Sequence, residues 1–181
     1  PEPHINGAEN IIIPGYASRN NSFSPLRRGL ERHGIHSHAL YPYENSRFRT
    51  PFTTTEAAAF VRQRIEESPA ETVNLICHSM GGLIALVACE DLDDTTLQKI
   101  GRIVTLGTPW KGTSLAQLLA LIKKGDPALR ELTPGSDTLA KKLPRVRDQV
   151  REKTVSIGSV SDRIVPWQSS VLDGSHLNVV L

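Results

Sequence analysis

The 181-residue sequence predicts an α/β fold, a mostly parallel twisted sheet with helices on both faces. Three observations carry that expectation. Short apolar runs rich in Ile and Val alternate with longer stretches of helical period, and strands covered on both sides lack the polar alternation of a half-solvated sheet. One run, residues 73–77, leads through His78-Ser79-Met80-Gly81-Gly82 into a stretch that is apolar on nearly every face, as a helix buried against a sheet is. The length suits one domain with a single large core.

The elements follow in βα order. Residues 10–13 make the first strand, and residues 25–33 a helix closed by Gly34. A strand near 35–40 and a helix over about 55–67 come next, then the 73–78 strand with its helix at 80–89. Residues 102–106, 154–157 and 177–181 supply three further strands. There are no internal repeats or low-complexity segments.

Composition narrows the function classes. The net charge is +2 with no block of like sign, so neither nucleic acid nor a membrane surface is indicated as a partner. No apolar run reaches the ~20 residues that span a bilayer, so no integral membrane segment is expected. Cys77 and Cys89, three helical turns apart, are expected about 15 Å or more from each other and to be buried free thiols. The chain opens on Pro1 without a charged-then-apolar leader, which reads as a processed or excised form and leaves localisation open between cytoplasm and secretion.

The stretch around Ser79 has the pattern of a nucleophile elbow. A serine held in a strained turn between strand and helix needs small neighbours two positions away on either side, and Cys77 and Gly81 supply them. The strict pattern has glycine where Cys77 stands; a turn that merely caps a helix is the plainer alternative. In a parallel sheet the reacting groups gather at the carboxyl ends of the strands, so the other strand-end loops matter. The first, Pro14-Gly15-Tyr16-Ala17-Ser18, can aim the Tyr16 N–H beside that of Met80 to form an oxyanion hole, or can be an ordinary Pro-Gly turn. The loop after residues 154–157 carries Asp162, which follows the serine as the acid of a Ser-Asp-His order does.

These residues resemble the α/β-hydrolase lipases and esterases, especially small bacterial triacylglycerol lipases and inositol-deacylase-like lipases. The resemblance rests on Ile13-Pro14-Gly15-Tyr16, where the family usually has His-Gly, on Cys77 to Gly82, on Thr105-Leu106-Gly107-Thr108-Pro109-Trp110-Lys111-Gly112-Thr113, and on Ser161-Asp162-Arg163-Ile164-Val165-Pro166. It implies a single α/β-hydrolase domain over 1–181 that cleaves carboxylic esters of acyl chains. Ser79 is the implied nucleophile, Asp162 orients the base, and the Tyr16 and Met80 N–H groups bind the oxyanion. The substrate class is a small acyl ester or lipid, with no metal or cofactor. Acyltransferases and thioesterases share every motif, and a non-catalytic module that binds an acyl ligand or a protein is the reading from another class. Oligomeric state is unreadable.

The base is the difficult assignment, because serine is a weak nucleophile without one. His4, His33, His36 and His38 lie around the first two strands, and the side chain of His78 is expected to turn away from that of Ser79. His176 alone among the histidines follows Asp162. Strand direction opposes it, since His176 stands at the start of the last strand, about 17 Å from the carboxyl ends. In the family the histidine comes a few residues after the segment resembling 172–181, which points to a base beyond Leu181 and a C-terminal end short of it; the alternative is an irregular last segment from which His176 folds back into the site.

Residues 111–150 read as a small helical cap or lid. Leu115, Leu118, Leu119 and Ile122 form one apolar stripe, suited either to packing on the sheet or to an acyl-binding wall. Leu129, Leu132, Leu139 and Leu143 are broken by Pro134-Gly135 and Pro144 into short pieces. Trp110, Trp167 and Leu115 are the expected acyl-pocket residues.

Overall fold

The computed structural model describes residues 8–16, 18, 21–41, 52–116 and 126–181. Six strands form one sheet in the order β2-β1-β3-β4-β5-β6: β1 (Ala8–Ile13), β2 (His38–Ala39), β3 (Thr72–His78), β4 (Ile100–Leu106), β5 (Thr154–Gly158) and β6 (Leu177–Val180). Every neighbouring pair is parallel. The register sets Ile13, Cys77, Thr105, Ser156 and Asn178 in one row. The carboxyl ends of these five strands therefore lie side by side at one end of the sheet.

Helix α1 is Ser24–Arg32, α2 Thr54–Glu66, α3 Met80–Glu90 and α4 Asp94–Gln98. Thr53 opens α2 with a reciprocal capping box to Glu56. In α3 only Val87 and Glu90 of 11 residues escape full burial. Its side chains share one core with Val73, Leu75 and Cys77 of β3 and with Ala57, Ala58, Val61 and Ile65 of α2. Arg147 closes the far end of α3: Nη2 donates to the carbonyls of Cys89, Glu90 and Leu92 at 3.0, 3.3 and 2.8 Å, and Nη1 meets Asp94 at 2.9 Å. A cation collecting orphan carbonyls also opposes the negative end of the helix dipole.

The expected elements are present with two adjustments. β2 shrinks to two residues, because Ile35 is exposed and the chain joins β1 only at Ile11 and Ile12. Burial is continuous in β1 but alternates in β3 and β5, whose second face, with Ile76, Val155 and Ile157, is half-covered among the described residues.

Cys77 and Cys89 are both buried free thiols, as expected. Burial holds the Cys77 thiol well above its ordinary pKa and pushes Cys89 up to about 12, with Arg147 and Lys153 opposing the latter.

Of the 111–150 segment, Leu118, Leu119 and Ile122 lie outside the described residues, and Leu115 is half-buried. Beyond it come α5 (Pro127–Glu131), a π-helical turn (Thr138–Lys142), a 3-10 turn (Leu143–Arg145) and α6 (Asp148–Glu152). Leu132, Leu139, Val146 and Val150 join the main core. Among the described residues no helix is long and apolar enough to cross a membrane.

Candidate active site

Ser79 joins β3 to α3 with φ 52° and ψ −124°, and among the described residues it alone has positive φ without being glycine. Such a backbone costs about 1–3 kcal/mol and persists only where its surroundings over-determine it. They do so here through three hydrogen bonds. The Ser79 N–H donates to Leu106 O at 2.8 Å, while its carbonyl accepts from the Gly82 N–H at 3.1 Å and from Thr108 Oγ1 at 2.8 Å. The small neighbours have a concrete reason: a Cβ on Gly81 would stand 2.2 Å from Ile13 O, because the end of β1 crosses the start of α3.

The turn after β1 comes just as close. A Cβ on Gly15 would stand 2.8 Å from Ser79 Cβ and 3.0 Å from His78 Nδ1. The Gly15 carbonyl accepts from the Ser18 N–H at 3.3 Å, which closes the turn around Tyr16. Met80 is the first residue of α3, so its N–H lies at the positive end of the helix dipole and has no acceptor four residues back within the helix.

Asp162 is on the loop after β5. Its Oδ1 accepts from the N–H groups of Ile164 and Val165 at 2.8 and 3.0 Å, and Oδ2 lies against Gly107, the residue after β4. Since Leu106 bonds Ser79, this carboxylate is one strand removed from that serine. His78 sits beside both. Its ring packs edge-on to Phe23, with centroids 5.6 Å apart. Burial holds the imidazole below its ordinary pKa of 6.5, and the negative charge of Asp162 opposes that shift.

The remaining expected site residues divide. Trp167 opens a 3-10 turn, Trp167–Ser170, on the Asp162 side and is 37% exposed. Leu115 follows Thr113, whose Oγ1 donates to Ile164 O at 2.5 Å, so its segment is tied to the same loop. Trp110 corrects the pocket assignment: it is 3% exposed and its indole N–H donates to Ser156 Oγ at 2.8 Å, which makes it part of the core beneath the loops. His176 is exposed at the opposite end of the sheet, where its N–H bonds Thr154 O at 2.9 Å, and it is not brought to Ser79. His33, His36 and His38 lie beyond the C-terminal end of α1 and at β2, while His4 falls outside the described residues.

Two residues of the site region had no role assigned in the sequence. Thr108 stands inside the Gly-Thr-Pro motif, but its grip on the Ser79 carbonyl depends on β4 lying beside β3. Asp126, which accepts a hydrogen bond from Tyr16, lies 110 residues away from it in the chain and gave no local signal.

No curated protein sequence matches this chain. Solved structures do. The mature form of a Bacillus licheniformis lipase has a TM-score of 0.71 at 14% identity over 95% of this chain and 82% of its own. A metagenomic carboxyl esterase has 0.71 at 17% over 99% of this chain, which spans 64% of that protein. Aspergillus fumigatus lipase B has 0.73 at 17% over the whole chain, which spans 47% of that protein. At such identities the likeness is one of fold. A family model described as the alpha/beta hydrolase fold matches residues 11–162, most of the sheet together with the Ser79 turn and Asp162, and the chain belongs to that family.

Proposed function

We propose that this chain is the core of a serine hydrolase that cleaves carboxylic esters, of lipase or esterase type, through an acyl-enzyme on Ser79. The observation that carries the reading is the strained backbone of Ser79, bound on three sides at the carboxyl end of the sheet. Strain of this kind lifts a hydroxyl clear of the sheet and leaves the Met80 N–H directed at the same space.

In the reaction, Ser79 Oγ attacks the ester carbonyl as a base takes its proton. The carbonyl oxygen becomes an oxyanion facing the N–H groups of Tyr16 and Met80. Collapse of the tetrahedral intermediate expels the alcohol, which receives the proton from the base. Water then repeats the sequence on the acyl-enzyme and releases the acid. Asp162, with Oδ1 held by two backbone N–H groups, presents Oδ2 to orient the base.

The base in this reading is a histidine beyond Leu181, with His176 as the alternative. The support is positional: Leu181 N–H bonds Gly158 O at 3.0 Å and Leu181 O accepts from Val160 N–H at 2.8 Å, so a residue after it emerges beside the Asp162 loop. Trp167 and Leu115 contact the acyl chain of the substrate, and no metal or cofactor takes part.

Fluorophosphonate labelling tests this on four proteins: the chain as it stands, a version extended by about forty residues of the natural sequence, and the extended version carrying Ser79→Ala or His176→Ala. The extended form and its His176→Ala variant are expected to label at the same rate, and Ser79→Ala not at all. Labelling that vanishes with His176→Ala would make that histidine the base. An extended form that fails to label would return the chain to a non-catalytic role.

A further inference from the structure

The short helix α5 is fastened at both ends by carboxylates, and one of them reaches the turn that carries the oxyanion donor. Tyr16 Oη donates to Asp126 Oδ2 at 2.5 Å. The other oxygen of the same carboxylate, Oδ1, accepts from the N–H groups of Ala128 and Leu129 at 3.1 and 3.4 Å and so caps α5. At the far end, Glu131 Oε2 accepts from both the N–H and Oγ1 of Thr54 at 2.5 Å each, which ties α5 to the start of α2. Between the two, Ala128 and Leu129 are 0% and 2% exposed. The carboxylate thus caps a helix that is bonded to α2 and buried through Ala128 and Leu129.

We propose that Asp126 is a positioning residue: gripping the Tyr16 phenol, it holds the Gly15–Tyr16 turn at the height where the Tyr16 N–H meets the oxyanion. This rests on the Ser79 hydrolase reading above. The mechanics follow from the spacing. Gly15 is packed against Ser79 and His78, which stops the turn from moving inward, and the Tyr16–Asp126 hydrogen bond ties it against lifting outward. A donor misplaced by about 1 Å loses most of its value to a developing charge, so the loss falls on the transition state and leaves ground-state binding intact. Burial and Asp126 together raise the phenol pKa, which keeps it protonated and able to donate throughout the range in which the enzyme would work.

The test is steady-state ester hydrolysis and the second-order rate of fluorophosphonate labelling in the full-length protein, with Tyr16→Phe, Asp126→Ala, Asp126→Asn and the Tyr16→Phe/Asp126→Ala double variant. Tyr16→Phe removes the hydroxyl and leaves the cap of α5 intact. It is expected to lower kcat and the labelling rate about tenfold with KM unchanged. Asp126→Ala should do the same, the double variant should be no slower than either, and Asp126→Asn should recover most of the rate, since an amide can cap the helix and still pair with the phenol. If the single variants lose thermal stability but keep kcat, or if only KM moves, the positioning role is overturned while the hydrolase reading stands. If the unmodified full-length protein neither hydrolyses esters nor labels at Ser79, the hydrolase reading falls and the oxyanion role of Asp126 with it.

Discussion

The two ends of this sheet treat polar groups in opposite ways. At the amino end Glu9, 2% exposed, has Arg64 Nη2 at 3.1 Å and His38 Nε2 at 3.4 Å on Oε1 and the Ser68 hydroxyl on Oε2. Beside it, Asn74 Nδ2 donates to Asn10 Oδ1 at 3.0 Å, Asn10 Nδ2 to His36 O at 2.9 Å, and the Arg102 N–H to Asn74 Oδ1 at 2.9 Å. The groups answer one another, and the network joins β1, β3 and β4 with the segment leading into β2. At the carboxyl end the hydrogen bonds instead hold the backbone of Ser79 and one oxygen of Asp162. One end invests its polar groups in cohesion, and the other uses cohesion to hold polar groups outward.

If that division is real, substitutions at the two ends should separate stability from chemistry. The largest effect on stability is expected from Glu9→Ala, which leaves Arg64 and Ser68 without their acceptor. Denaturant unfolding should show a loss of about 2–3 kcal/mol, with the Ser79 labelling rate of the folded fraction unchanged. A fall in labelling parallel to the fall in stability would mean that the ends are not independent.

The converse comes from Ser79→Gly. Glycine adopts φ 52° freely, so relief of strain outweighs the entropy glycine costs, and the variant should gain about 1 kcal/mol while losing all labelling. A destabilised Ser79→Gly would show that the serine side chain, rather than its backbone, contributes to the turn.

The smallest effect concerns His78. Its folded pKa lies below 6.5, so as pH falls below that value the unfolded chain binds the proton first and stability declines until the folded pKa is passed. Melting temperatures measured at about pH 7.5 and 5 should therefore drop less in His78→Gln than in the unmodified chain. Asp162→Asn should lower the His78 titration further, as read by NMR, because the opposing charge is gone. An unchanged titration would place Asp162 out of reach of the imidazole.

Much of this was legible in the sequence because it is local. The strands announce themselves by Ile and Val runs, and the Ser79 turn by the sizes of Cys77 and Gly81. What was illegible depends on neighbours in space. Trp110 looked like a pocket wall because its loop faces the site; only the position of Ser156 on β5 shows that the ring turns into the core. Glu9, in an apolar strand, gave no sign of Arg64, which is 55 residues distant. Strand direction was readable, and it placed His176 at the start of the last strand; the short β2 was not, because Ile35 is as apolar as a buried strand residue.

The parallel pairing of β4 with β5 carries a last consequence for the chain between them. It leaves the sheet at Gly107, at the reacting end, and must travel its full height to enter Thr154 at the other. Parallel neighbours need a connection of about a dozen residues or more, so this stretch is first of all a structural bridge. It cannot be trimmed away, for β5 would lose its direction and Asp162 its place. Only the surplus beyond that bridge is free to vary without touching the strand order that sets Asp162 beside the Ser79 turn.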